Sequence, residues 1–155
     1  MDAQLTTQEP RVRKKRTVRY EATSAPPPAK PGQIKGSWDV WNATTDFASK
    51  LQEHFAVFDL DARHRVIERR IVSVGTLNGV EVHPREVFKG AILNSAAAVI
   101  LVHNHPSGDT APSRQDVELT KRLCAGADLF GIPVLDHVVV AADGFTSMRE
   151  KGDIQ

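Results

Sequence analysis

The side chains best suited to chemistry lie within residues 101–116, at the end of a continuous apolar run. On an extended backbone, residues two apart point the same way, so His103 and His105 present their imidazoles to one point. Catalytic zinc usually takes three protein ligands and one water, with histidine and carboxylate favoured. Asp116 can supply the third ligand, because the intervening loop lets the following helix fold back beside the strand end. Together these residues predict a zinc site.

Each half of this pattern also has a purely structural interpretation. A His-x-His pair on a strand is more often structural than metal-binding when it stands alone. Ser113 and Asp116 have the spacing of a helix capping box, in which a short acid closes the first turn. The interpretations are compatible, since Ser113 can cap the helix while a carboxylate oxygen of Asp116 faces a metal.

The order His-x-His, seven residues, then Ser-x-x-Asp resembles the JAMM (MPN) metallohydrolase motif without a gap. Further segments resemble the RadC branch of that family in particular, and they lie at residues 75–78, 83–88, 103–109 and 135–137. The likeness extends over about residues 42–148.

The resemblance implies a fold, a cofactor and residue roles. The fold is α/β (α+β), a mixed β-sheet flanked by helices, as in cytidine-deaminase-like JAMM/MPN domains. His103, His105 and Asp116 would bind Zn²⁺, and Ser113 would donate a hydrogen bond to the tetrahedral intermediate. A glutamate just before the first core strand would take a proton from the zinc-bound water, and Glu53 holds that position.

Two other residues need an interpretation. Glu86 is the alternative candidate for the base, although an acid near the start of a helix is favourable to the helix dipole without any catalytic role. His137 falls within a predicted buried strand. It is interpreted as a hydrogen-bonded core residue or as a support for a metal ligand.

Hydrophobic periodicity predicts the element order α-β-β-α-β-α-β, followed by a C-terminus rich in loops. Phe47 and Leu51, four apart, indicate a short first helix whose N-cap is Thr44 or Thr45. The next two strands are joined by a short turn, which favours an antiparallel hairpin. The later elements are strands at 55–60, 66–74, 96–102 and 134–140 and helices from 84 and from 113 to 130.

Charge is unevenly distributed along the 155 residues. Residues 1–36 hold eight Lys and Arg against three acids, whereas the remainder holds 12 against 16. The first segment is also Pro-rich and poor in apolar side chains. It is predicted to be a disordered basic arm, and 37–155 to be a RadC-type JAMM/MPN domain. The basic cluster at 11–19 either binds nucleic acid weakly through phosphates or only keeps the protein soluble.

The function implied by the resemblance is that of a zinc metallopeptidase or isopeptidase acting on a peptide or isopeptide substrate. The alternative is a DNA-associated protein or metal-dependent nuclease, linked to DNA repair or mobile elements, since activated water also attacks phosphodiesters. The helix-hairpin-helix module of longer RadC relatives has no counterpart here, which weakens a DNA-repair role. A single cysteine and the lack of a signal or membrane-spanning run predict a cytoplasmic protein without a membrane partner.

Overall fold

A computed structural model describes the chain at residues 20–21, 32–75 and 81–155. Most of the predicted arm, including the basic cluster at 11–19, lies outside the described residues. Two parts of it are described. Tyr20–Glu21 forms a short strand, β1, and residues 32–36 adjoin the domain, where the side chain of Ile34 is buried in the core. The side chain of Ile34 therefore packs with the described domain, whereas the predicted boundary lies at residue 37.

The described strands form one mixed sheet in the order β1-β6-β5-β4-β2-β3. Strands β4 and β5 are parallel, and every other neighbouring pair is antiparallel. The β2–β3 pair is the hairpin that the sequence predicted. The remaining bounds are β2 His54–Leu60, β3 Val66–Val74, β4 Ala98–Asn104, β5 Val134–Ala141 and β6 Gly144–Ser147.

Five helices accompany the sheet in the part of the chain that is described. Their bounds are α1 Ser37–Asn42, α2 Thr45–Ala48, α3 Pro84–Leu93, α4 Arg114–Phe130 and α5 Met148–Lys151. The two long helices, α3 and α4, begin at or next to their predicted positions, and α4 ends at the predicted residue. None of the helices in the described ranges combines the length and apolar character needed to cross a membrane.

Helices cover both faces of the sheet. One face packs against α1 and α2 and includes Trp41, Phe47 and Val102 in its buried cluster. The other face packs against α3 and α4 and includes Leu101 and Leu123. Because side chains alternate along a strand, β4 contributes to both clusters. The predicted fold class, a mixed sheet flanked by helices, is confirmed.

Two local predictions were wrong. Helix α2 ends at Ala48, so Leu51 does not share a helical face with Phe47 and is 92% exposed. The chain must leave the helix there to enter β2. The C-terminus is not rich in loops, because β6 pairs with β5 and α5 follows it directly. Both elements have four residues, too few to show a clear periodicity.

Candidate metal centre

Four side chains with metal-binding atoms converge at one end of the sheet: Glu53, His103, His105 and Asp116. One ligand atom from each lies within 4.8 Å of those of the other three. They come from the residue before β2, the end of β4, the residue after β4, and the first turn of α4. The structure thus brings together the three predicted zinc ligands and the predicted base.

The distances among the three predicted ligands suit a small tetrahedral ion. His103 Nε2 lies 2.9 Å from His105 Nε2. Asp116 places Oδ1 3.3 Å from His103 Nε2 and Oδ2 3.3 Å from His105 Nε2. Ligands about 2.0–2.1 Å from a tetrahedral zinc would be separated by roughly 3.3 Å. The donor set and its spacing therefore fit zinc.

His105 is oriented by the loop that follows β4. Its Nδ1 lies 2.7 Å from the main-chain carbonyl oxygen of Asp109, which can only accept a hydrogen bond. The hydrogen therefore sits on Nδ1, and the lone pair of Nε2 faces the cluster. Gly108 turns the loop with a φ of 80°, and its N–H donates to the carbonyl of His105.

His103 is buried and is supported from behind by another imidazole. Its Nδ1 lies 2.7 Å from Nε2 of His137, whose Nδ1 lies 2.6 Å from the hydroxyl oxygen of Thr120. The ring of Phe55 stacks on His103 at 6.1 Å between centroids. Complete burial lowers the pKa of His137, so its imidazole is neutral. The prediction of a hydrogen-bonded core histidine is confirmed.

Asp116 acts in the helix cap and in the cluster at once. Its main-chain N–H donates to Ser113 Oγ at 3.1 Å, and its Oδ2 accepts from the main-chain N–H of Ser113 at 2.7 Å. This is the predicted capping box. Burial alone would raise the pKa of Asp116, but the neighbouring imidazoles of His103 and His105 hold it well below its ordinary value. The same contact with Asp116 raises the pKa of His105.

Hydrogen bonds from Gly75 and from the side chain of Asn104 fix the main chain of the segment that carries Glu53. The N–H of Gly75, at the end of β3, donates to the carbonyl of Glu53 at 2.7 Å. Asn104 accepts from the N–H of His54 at 2.6 Å, and its amide donates to the carbonyls of Lys50 and Gln52 at 3.1 Å each. Asn104 lies between His103 and His105 at the end of β4, so its side chain points to the opposite face of the sheet and reaches this segment.

Glu86, the alternative base, lies elsewhere. It is in the first turn of α3, its side chain is 52% exposed, and it pairs with Arg85 at 3.5 Å. Glu86 does not belong to the cluster of potential ligands. Its position agrees with the simpler interpretation of an acid that favours the helix dipole.

The cluster opens into a cleft of about 580 Å³. Ser113 lies at its wall, and its hydroxyl oxygen accepts from Asp116, which leaves the hydroxyl hydrogen able to donate to a bound molecule. Phe55, Val82 and Leu119 give the cleft an apolar side. Its polar lining consists of Glu53, Glu81, His105, Ser113, Gln115, Asp116 and Arg122.

A family model for the RadC-like JAB domain matches residues 34–153. The chain belongs to this family. The match spans nearly the whole described domain, and it confirms the resemblance seen in the His-x-His and Ser-x-x-Asp spacing.

Several curated relatives of this RadC-like domain carry the name UPF0758 protein. Those of Desulforamulus reducens and Desulforudis audaxviator are 52% and 55% identical to it over 101 residues, which is 65% of this chain and 44% of each relative. The relative from Methanococcoides burtonii is 48% identical over 123 residues, covering 79% of this chain and 54% of its own. The RadC-like chain spans about half the length of the curated relatives it matches.

Sequence reasoning about this RadC-like domain missed Asn104 and Arg122. Asn104 is fully buried, and its partners lie about fifty positions away, so local spacing carries no sign of its role. The alternation of β4 was the available signal, because it places Asn104 on the opposite face from His103. Arg122 lines the cleft and donates to the carbonyl of Val82 at 3.2 Å. No motif in the sequence marked it.

Proposed function

We propose that this RadC-like domain is a zinc-dependent hydrolase that cleaves peptide or isopeptide bonds. The observation that carries the proposal is the convergence of two imidazoles and a carboxylate, with a second carboxylate beside them. Three protein ligands and an open side are the usual arrangement of catalytic zinc sites.

Each residue has a defined task in such a reaction. A zinc ion held by His103, His105 and Asp116 would supply a Lewis acid and lower the pKa of a coordinated water to near 7. Glu53, within reach of the same point, accepts a proton from the attacking water and passes it to the leaving amine. Ser113 donates its hydroxyl hydrogen to the oxygen that gains charge as the amide carbonyl is attacked.

The lining of the cleft favours an amide over a phosphodiester substrate. Three carboxylates, Glu53, Glu81 and Asp116, line the cleft with one guanidinium, that of Arg122, and the two positive charges of a bound zinc ion would balance the rest. The lining then has no excess of positive charge to attract a phosphodiester. A peptide bond is neutral, and the apolar side formed by Phe55 and Leu119 can contact a side chain next to it.

The test combines metal content with hydrolysis. Mass spectrometry should find about one zinc per wild-type chain and much less in His103→Ala. His64→Asn is a matched control, because His64 lies in an exposed turn with a positive φ that Asn tolerates. Peptide, isopeptide and nucleic-acid substrates would then be screened with and without chelator. Equal zinc in wild type and His103→Ala would contradict the metal site, and chelator-sensitive cleavage of nucleic acid alone would establish a nuclease instead.

A further inference from the structure

We propose that Thr120 and His137 are positioning residues that hold His103 in the tautomer able to bind the metal. The inference rests on the proposed zinc site. It assigns a task to two buried side chains that lie behind the ligands and outside the cleft lining.

Thr120 determines which atom donates in each hydrogen bond of this chain. A threonine hydroxyl has one hydrogen, and that of Thr120 is donated to the main-chain carbonyl of Asp116 at 2.6 Å. The thioether sulfur of Met148, at 3.7 Å, is a weaker and more distant acceptor. With its hydrogen used, the oxygen of Thr120 can only accept from the nitrogen of His137 that faces it.

The remaining steps follow from the chemistry of a neutral imidazole, in which one nitrogen donates and the other accepts. The hydrogen of His137 sits on Nδ1, which faces Thr120 at 2.6 Å. Its Nε2 must then accept from Nδ1–H of His103 at 2.7 Å. His103 is left with an unprotonated Nε2, the atom that faces His105 and Asp116.

Burial makes these hydrogen bonds important to one another. Thr120 and His137 are 0% exposed and His103 is 1% exposed, so their ring nitrogens and hydroxyl find partners within the protein and not in bulk water. Phe55 closes the space beside both rings, stacked on His103 and edge-on to His137 at 5.4 Å between centroids. The chain of hydrogen bonds also starts at one ligand, His103, and ends on the backbone of another, Asp116. It therefore couples the orientation of both ligands.

The first test compares two substitutions at Thr120. Thr120→Val keeps the shape but removes the acceptor for His137, whereas Thr120→Ser keeps the hydroxyl. The zinc dissociation constant, measured by chelator competition, should rise about 10- to 100-fold in Thr120→Val, the range seen when partners of metal ligands are removed. It should change little in Thr120→Ser. Equal constants for wild type and Thr120→Val would overturn the inference.

A second pair places the change on His137 itself. In Gln the side-chain carbonyl oxygen can reach the position of His137 Nε2 and still accept from His103. In Asn the shorter amide reaches only the position of Nδ1, the atom that faces Thr120. His137→Gln should keep tighter zinc binding than His137→Asn. Thermal melting of each variant shows whether it is folded, and the reverse order of affinity between folded variants would contradict the proposed direction.

The tautomers themselves are visible by nitrogen-15 NMR of the imidazole rings, without any substitution or activity. At about pH 8, above the ordinary histidine pKa of about 6.5, His137 should carry its hydrogen on Nδ1 in zinc-free and zinc-loaded wild-type protein. A hydrogen on Nε2 of His137 would overturn the inference. If wild-type protein bound no zinc, the proposed function would fail, and the His137 spectrum would still decide the hydrogen-bond order.

Discussion

Glu53 reaches the cluster of potential ligands because hydrogen bonds hold its main chain and that of its neighbours. Gly75 binds its carbonyl, and Asn104 binds the main chain on either side of it. A glutamate has several rotatable bonds, so fixing its backbone limits the volume that its carboxylate can sample. Placement of the predicted base thus depends in part on Asn104, which lies between the two predicted histidine ligands.

At Glu53 itself, substitution by Gln should separate metal binding from hydrolysis. The amide keeps the size of the side chain but cannot accept a proton, so zinc content should stay near one per chain. Hydrolysis should fall by ~10²-fold or more, the usual scale of general base catalysis. Glu86→Gln is the matched control and should keep activity, since Glu86 lies outside the cluster. An inactive Glu86→Gln together with an active Glu53→Gln would assign the role of general base to Glu86.

Asn104→Asp should impair the same step indirectly. A carboxylate cannot donate to the carbonyls of Lys50 and Gln52, and its oxygens would face them at short range. The expected loss of stability is about 1–3 kcal/mol, the cost of unsatisfied buried polar groups. Zinc should be retained while hydrolysis falls at least about tenfold. Because both changes act through the base, adding Asn104→Asp to Glu53→Gln should reduce the rate little further. An undiminished rate in Asn104→Asp would exclude this role.

Site residues that are near one another in sequence were predictable from their spacing, and distant ones were not. His103, His105 and Asp116 lie close together along the chain, so their spacing predicted a common site. Glu53 lies far upstream, and only the family resemblance pointed to it. The partners of Asn104 and His137 depend on which strands become neighbours. That pairing is a property of the sheet, and no local pattern specifies it.

Among the elements, α4 contributes to the site through its first turn, which supplies Asp116. The capping box fixes that turn through reciprocal hydrogen bonds between Ser113 and Asp116. In the proposed site, capping and metal binding would therefore use the same carboxylate, and Ser113 would have two separable tasks. It caps the helix, and in the proposed reaction it donates a hydrogen bond to the substrate.

Two substitutions at Ser113 separate these tasks. Ser113→Ala removes the cap and should cost about 1 kcal/mol of stability, whereas Ser113→Gly should cost only a few tenths. Both remove the donor hydroxyl, so both should lower hydrolysis to a similar extent. Denaturant unfolding and steady-state rates on the same samples would check this. If hydrolysis instead followed stability, with Ser113→Gly close to wild type, Ser113 would act only as a helix cap.

At the scale of the whole molecule, the sheet separates two kinds of support for the site. His103 faces the side covered by α3 and α4, where His137 and Thr120 lie, and Asn104 faces the side covered by α1 and α2. The long elements were predictable because their hydrophobic periodicity is sustained. Helix α5 and strand β6 were not, since their stability comes from packing onto β5.

Residues 1–19 carry six Lys and Arg against two acids. Their removal should leave the fold and the zinc content unchanged and should spare β1, which pairs with β6. If the basic cluster at 11–19 binds nucleic acid through phosphates, intact protein should retain DNA or RNA weakly at low salt. The slope of log affinity against log salt should not exceed about −5 in magnitude.

A length-matched control separates the charges of the cluster from the rest of the segment. Replacing the six basic residues by glutamine keeps the length of the chain but removes the charges that would release counterions from the nucleic acid. This variant and the truncated protein should both bind poorly, because the remaining chain is net acidic. Affinity equal to that of intact protein in both variants would place a nucleic-acid site on the RadC-like domain itself. Absence of binding in all three proteins would leave the segment without this function and would favour the peptidase over the nuclease.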